Sequence, residues 1–318
     1  DSRKPVVRFS TELREDLARR DFTVNAMAVD VADGMLHDPF GGRADLEARI
    51  LRTPLDPAES FSDDPLRMLR AARFLSRYEL TSVEGLIEAA RSLVGRMEIV
   101  SAERIRDELF RLLEVEDPTA GFNLLHEMGL LETVLPEVAA LETSRRVALG
   151  RWVAGAPVDA VLRLSVLAHA VDSEDVLGRW VSALRLSGRD AARAQTLLDG
   201  VAMVADQGTE LSDEHLRRLA VRVGDGLDDV VAIAGLVGVG FAGTALVDSI
   251  ARLRAVGEFD DLGPGLDGAT VMRLLDLEAG PGVGEVMAWL GELRLIEGRL
   301  PDEEVQSRLH ERWGTSRD

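Results

Sequence analysis

From about residue 55 onward the chain carries Leu, Ala, Arg and Glu at the three- and four-residue spacing of amphipathic helices, and strand-like alternation is lost. A run of that length hides its apolar stripes only by packing helix on helix. The spacing predicts helices near 44–49, 63–78, 82–95, 101–115, 118–130, 145–155, 158–171, 173–186, 188–206, 211–224, 227–254, 268–276, 281–298 and 301–313. Ahead of them, PVVRF (5–9) and TVNAMAVDV (23–31) have the short, Val-rich character of strands. Asp33-Gly34 and HDPFGG (37–42) then break the chain into turns. The expected fold class is therefore α+β and predominantly α-helical: a small, partial α/β piece followed by a long helical array. No repeat of fixed period stands out.

A chain of 318 residues is too long for one ordinary core, and 46% apolar with 29% charged residues suits a folded globular protein. With no Cys, disulfides, thiolate metal sites and a cysteine nucleophile are excluded. The chain opens on Asp1 with no signal-peptide pattern, which leads us to expect processing or an upstream segment outside this sequence. Residues 230–247 are 18 consecutive uncharged residues, but Asp228, Asp229 and Asp248 flank them, so a buried glycine-bearing helix is expected rather than a membrane span. The net charge of −19 opposes indiscriminate nucleic-acid binding. That charge is uneven: residues 1–115 hold 18 Lys and Arg against 22 Asp and Glu, the remainder 19 against 34. An anion would find its better host in the first third.

Three stretches there could carry chemistry. In DDPLRMLRAARF (63–74), Ser62 or Asp63 can cap a helix on which Arg67, Arg70 and Arg73 share a sector of about 120° with Leu66 and Phe74. Cations mixed with large apolar groups suit a partly dry cleft, where guanidinium forks match a triphosphate or the edge of a base. The alternative is a surface helix with ordinary ion pairs. RRDFTVNAMA (19–28) places two arginines and Asp21 at the start of an apolar element, forming a nucleotide-pocket wall or a simple strand-opening ion pair. SAERIRDELFRLLE (101–114) is an amphipathic helix with Ile105, Leu109, Leu112 and Leu113 inward and Arg104 and Glu108 four apart, able to pair. The five histidines are scattered, which argues against a metal site, and no P-loop, dinucleotide fingerprint or nucleophile elbow occurs.

Taken in order, Arg19-Arg20-Asp21, Asp38-Pro39-Phe40-Gly41-Gly42, Asp63 to Phe74 and Glu103 to Leu109 form a specific set. Over roughly residues 1–140 the chain resembles the class II tRNA nucleotidyltransferases, the CCA-adding enzymes, and their relatives the bacterial poly(A) polymerases. Weaker likeness returns at Pro264–Gly268 and Gly280–Gly284. The resemblance implies a seahorse-shaped molecule: the end of a nucleotidyltransferase head (1–55), a neck with a base-reading helix (56–117), a body (118–205) and a tail (206–318). It implies CCA addition to tRNA from CTP and ATP, a cytoplasmic location, and no membrane partner. Arg20 and Asp21 would hold sugar and phosphates, and Asp38–Gly42 would be a head–neck hinge. Asp64 and Arg67 would read the base edge, Arg70 and Arg73 would support the nucleotide, and Arg104 and Glu108 would brace the neck.

Two departures matter. The family's magnesium-binding D-x-D pair and its phosphate loop lie upstream of the double arginine and are absent from this sequence. A catalytic piece would then have to come from an upstream head segment or a second chain. Asp63 also stands where the family usually has Glu. The competing readings are a poly(A) polymerase, a non-catalytic tRNA-binding module and a helical scaffold. The chain by itself is expected not to add nucleotides; CMP or AMP incorporation into tRNA lacking its terminus is the measurement, and turnover would refute the expectation.

Overall fold

Because an isolated helix of three turns is marginal in water, each of these segments depends on a neighbour that covers its apolar stripe. The computed structural model describes residues 12–171, 173, 175–206, 212–239 and 244–314. Its first helices are α1 (Leu13–Ala18), α2 (Gly42–Glu47), α3 (Pro57–Asp63), α4 (Leu66–Tyr78), α5 (Leu86–Leu93) and α6 (Ala102–Leu113). Next come α7 (Thr119–Glu127), α8 (Leu131–Val134), α9 (Pro136–Ala139), α10 (Thr143–Gly155), α11 (Ala160–Val171), α12 (Val176–Leu184) and α13 (Gly188–Asp206). The last are α14 (Asp213–Val223), α15 (Leu227–Val237), α16 (Thr244–Ala255), α17 (Gly268–Leu275), α18 (Pro281–Glu297) and α19 (Asp302–Trp313). Two minimal strand pairs accompany them. β1 (Ala28–Val29) runs antiparallel to β2 (Leu36–His37), with Ala28 opposite His37. β3 (Ile50–Leu51) runs parallel to β4 (Thr81–Ser82). The chain divides into two compact units, Asp1–Gln195 and Thr196–Asp318.

Three expectations need correction. The strand expected over 23–31 shrinks to β1, because residues Thr23–Asn25 form a 3₁₀ turn. There the Asn25 carboxamide oxygen accepts from the Phe22 N–H at 3.2 Å, and Thr23 Oγ1 donates to Asp45 at 2.7 Å. Local polar side chains outbid strand pairing. The helix expected over 63–78 is two helices: Asp64 is extended (φ −141°, ψ 100°), Pro65 follows, and Asp64 Oδ1, rather than Ser62 or Asp63, accepts from the Leu66 N–H at 3.2 Å. The helix expected over 227–254 ends at Val237, where Gly238 caps it in the left-handed region (φ 70°). Of the described residues in the apolar stretch, Val230, Ile233 and Ala234 on α15 and Leu246 on α16 are buried, while Val247 is exposed. Among the described residues no helix is long and apolar enough to cross a membrane. PVVRF lies outside the described residues. α1, α3, α8 and α9 were not expected; each is seven residues or shorter, too short to show periodicity.

In the first unit α4 packs against α6 and α7. The α4–α7 approach is close because Gly121 has no side chain. A Cβ there would lie 2.7 Å from the Ala72 carbonyl oxygen, and the Gly121 N–H instead donates to Ser76 Oγ at 2.7 Å. Arg163, 1% exposed, sits among backbone carbonyls: it donates to Leu113 at 2.7 Å, Glu116 at 3.0 Å and Ala156 at 2.9 Å, and also to Val115. Burial lowers its proton affinity, and Asp117 offsets part of that loss. A guanidinium placed at the C-terminal end of α6 satisfies carbonyls that no later turn can reach.

The second unit has its own core of Leu266, Val271, Val286, Leu290, Val305 and Leu309, with Trp289 and Trp313 edge to face at 4.9 Å. Beside it Glu258 joins two buried arginines, Arg217 at 3.0 Å and Arg294 at 2.7 Å. Arg217 also donates to the Leu295 carbonyl at 2.9 Å, so it caps the end of α18. Gly298, at φ 83°, gives it room: a Cβ there would meet Arg217 Nη2 at 2.6 Å.

Burial pushes the Glu258 carboxyl up, but hydrogen bonds from Arg294 and the Arg299 N–H bring it net below the ordinary Glu value. A carboxyl whose folded value is depressed stabilises the fold above the unfolded Glu range and loses that contribution as pH falls through the folded value. Denaturant unfolding monitored by tryptophan fluorescence between about pH 3 and 6 should therefore show stability falling with acid, and Glu258→Gln should flatten that fall. An unchanged slope in the variant would show that other carboxyls carry it.

Candidate functional site

α4 begins where Pro65 fixes φ at −59° and stops at Glu79, which turns into the left-handed region at φ 52°. Between them Leu66, Met68, Leu69, Ala71, Ala72, Phe74 and Leu75 are buried, while Arg67, Arg70 and Arg73 are half-buried. The three arginines thus lie at the border between core and solvent, as their shared sector predicted. Two of them lie over the Phe74 ring, Arg73 at 4.8 Å and Arg70 at 5.8 Å from its centre.

Two buried carboxylates hold this stripe. Glu108, on α6 and 2% exposed, accepts from Arg73 Nε at 2.8 Å, Arg70 Nη1 at 3.4 Å and Arg111 Nη1 at 2.7 Å. Asp21, 6% exposed, accepts from Arg70 Nε at 2.6 Å and from the Asn25 amide. The Arg104–Glu108 pair expected from their spacing does not form. Glu108 turns into the helix interface, where three guanidiniums claim it, and Arg104 reaches Asp64 Oδ2 at 2.9 Å instead. Arg67 donates to Ser60 Oγ at 2.8 Å and to the Arg19 carbonyl. Arg20 is exposed and pairs with Asp16 at 3.2 Å. Asp64 comes from the turn before α4, so the carboxylate and the guanidiniums converge from two elements and not from one rod.

The structure therefore joins Asp21, Arg70, Arg73 and Glu108 into one connected network, holds Asp64 with Arg104 as a separate pair and Arg67 on Ser60, and leaves Arg20 exposed on Asp16. Sequence reasoning missed Arg111 and Ser60. Arg111 lies three residues past Glu108, a spacing that could have found it; Ser60 carries no such signal. Within these contacts five guanidiniums meet three carboxylates, with Asp63 and Glu103 beside them in sequence. Planar forks at this border suit phosphates or the hydrogen-bonding edge of a base.

The Asp38–Gly42 turn is bonded from within. Asp38 accepts from the Gly42 N–H at 2.6 Å and the Arg43 N–H at 2.9 Å, and Gly41 is left-handed at φ 74°. A Cβ on Gly42 would come within 1.9 Å of the Thr23 carbonyl oxygen, so only glycine fits.

The chain is similar in sequence and fold to known proteins. Residues 1–52 match the poly(A) polymerase head domain, and residues 84–141 match the probable RNA- and SrmB-binding site of polymerase A. The multifunctional CCA protein of Neisseria gonorrhoeae is 47% identical over 131 residues, covering 41% of this chain and 31% of that protein. Its counterpart in Chromobacterium violaceum is 44% identical over the same length and covers the same shares. The match thus spans about a third of the length of these curated relatives. Among solved structures, the Bacillus stearothermophilus CCA-adding enzyme in complex with CTP aligns with a TM-score of 0.73 at 25% identity, covering 96% of this chain and 75% of that one. The Thermotoga maritima CCA-adding enzyme complexed with tRNA has the same fold, with a TM-score of 0.67 at 20% identity over 94% of this chain and 74% of that one.

Removing Glu108 leaves guanidiniums facing one another across a helix interface. Glu108→Ala should cost about 3 kcal/mol, the low end for a broken buried pair because Arg70 and Arg111 keep contact with water. Chemical denaturation measures it; a loss below about 0.5 kcal/mol, the scale of an exposed pair, would remove Glu108 from its place as organiser.

Proposed function

We propose that this chain, which shares the fold of the CCA-adding enzymes and carries poly(A) polymerase head and RNA-binding sequence in its first 141 residues, belongs to a tRNA nucleotidyltransferase that builds CCA ends from CTP and ATP. The observation that carries the reading is the guanidinium stripe of α4 beside Asp64, held half-buried at the border of the core. Cytosine and adenine both offer an exocyclic amino donor next to a ring acceptor. A carboxylate that accepts and a guanidinium that donates can read that edge, so Asp64 and Arg67 are the base-reading pair. Both are engaged internally in this structure, Asp64 with Arg104 and Arg67 with Ser60, and each has to exchange that partner for the base. Arg70 and Arg73 support the nucleotide from the same face, and Arg20 and Asp21 lie toward its sugar and phosphates. Arg104 and Glu108 brace the neck, with Gly41 as the pivot of the head–neck turn. tRNA is the macromolecular partner and the cytoplasm the working compartment.

The reaction implies magnesium held by carboxylates. Among the described residues no group of three His, Asp or Glu side chains converges to hold a metal ion, so the described residues do not fit that role. What they supply is selection and positioning of the nucleotide.

Calorimetric titration with CTP and ATP tests the reading. The wild-type chain should bind both, and Arg67→Ala should weaken both by about ten-fold, the worth of one charge-assisted hydrogen bond. Arg145→Ala, on α10 away from this face, should leave both unchanged. Tight binding of tRNA with indifference to both nucleotides would favour the non-catalytic tRNA-binding module.

A further inference from the structure

A second concave site lies in the first unit, between α7 and α10, and it is independent of the nucleotide reading. Its volume is about 500 Å³, within the range of small-molecule pockets. The floor is fully apolar, built from the buried side chains of Leu131, Val138, Leu149, Val153 and Leu167. α7 turns Thr119, Phe122, Asn123 and His126 toward it at the spacing of one helix face. Two polar contacts bridge the helices. Thr119 Oγ1 donates to the Gly150 carbonyl at 3.3 Å, and Arg146 Nη2 meets His126 Nε2 at 3.3 Å. Both bridges are made by residues that line the space, and Val147, which also lines it, stays 53% exposed.

The polar groups of the pocket favour an anion. Arg146 can only donate, so in this contact His126 Nε2 is the acceptor. The ring's Nδ1 is buried and has no hydrogen-bond partner; the Glu132 carboxylate, 3.4 Å away, is at ion-pair range without bonding geometry. Arg151, which also lines the pocket, has no ion pair or hydrogen bond among the described residues. Asp117, the acid in the lining, is engaged: it accepts from the Thr119 N–H at 2.9 Å and faces Arg163. An apolar floor and a guanidinium whose side chain has no partner among the described residues together describe one kind of ligand. We infer that this pocket binds a small organic anion with an aromatic body, a carboxylate or sulfonate, its ring against Phe122 and Val147 and its charge toward Arg151.

The probe is 1-anilinonaphthalene-8-sulfonate, titrated into the folded chain and read by fluorescence. Saturable binding of one equivalent is expected, unmoved by CTP or ATP. Arg151→Gln should weaken it by about five-fold, the scale of one partly exposed charge contact. Val147→Trp, which fills the mouth, should weaken it by about ten-fold or more. Near-ultraviolet circular dichroism checks that both variants are folded, and Arg151 is exposed enough to be replaced safely. Absent saturation, wild-type affinity in either folded variant, or displacement by a nucleotide would each overturn the assignment. Equal affinity for the uncharged N-phenyl-1-naphthylamine would overturn its anionic half.

Discussion

A carboxylate that is 2% exposed and shared by three arginines is the contact on which the candidate site rests. Glu108 has no water to solvate its charge, so the guanidiniums must come to it. Arg70 and Arg73 stand one helical turn apart on α4 and Arg111 follows Glu108 on α6, so satisfying one buried charge sets the rotation of α4 against α6. Arg70 then passes the constraint to Asp21, and Asp21 fixes the turn at Phe22–Asn25. Nucleotide-reading groups need this kind of support, because a side chain that reads a base edge has to be held close to its working geometry before the ligand arrives.

Much of this was legible in the sequence. Three arginines at three-residue spacing that share a sector with Leu66 and Phe74 suit a helix at the edge of a core, with a surface helix of ordinary ion pairs as the alternative, and the structure leaves all three half-buried at that edge. The long helices were legible for the same reason: their periodicity is repeated often enough to outweigh local preference. Short elements were not. Thr23–Asn25 looks like a strand because Val and Thr favour one, yet two side-chain hydrogen bonds decide it. Asp64 looked like part of the helix, although the residue before a proline is pushed out of helical geometry, and that rule could have placed it in the turn. The partner of Arg104 was illegible for a deeper reason. Two residues four apart on a helix are always near each other, so spacing cannot reveal that each has a better partner on another element.

The charge distribution makes sense in the same light. A net −19 would repel a polyanion if it were spread evenly. The structure instead engages many arginines in local pairs and gathers five of them around three carboxylates at one border, where α3, α4 and α6 meet. Screening limits the reach of distant acids to about 8 Å at physiological salt. An anion at that border therefore experiences its immediate neighbours far more than the chain as a whole.

Arg163 has a mechanical consequence. Its guanidinium grips carbonyls on both sides of the bend that follows α6, at Leu113 and Glu116, while Ala156 ties in the loop ahead of α11. Swivelling about that bend would strip a cation of all its acceptors at once, with no water at hand to replace them. The corner behaves as a weld: torque applied to α6 travels into α11, and bending has to find a softer joint.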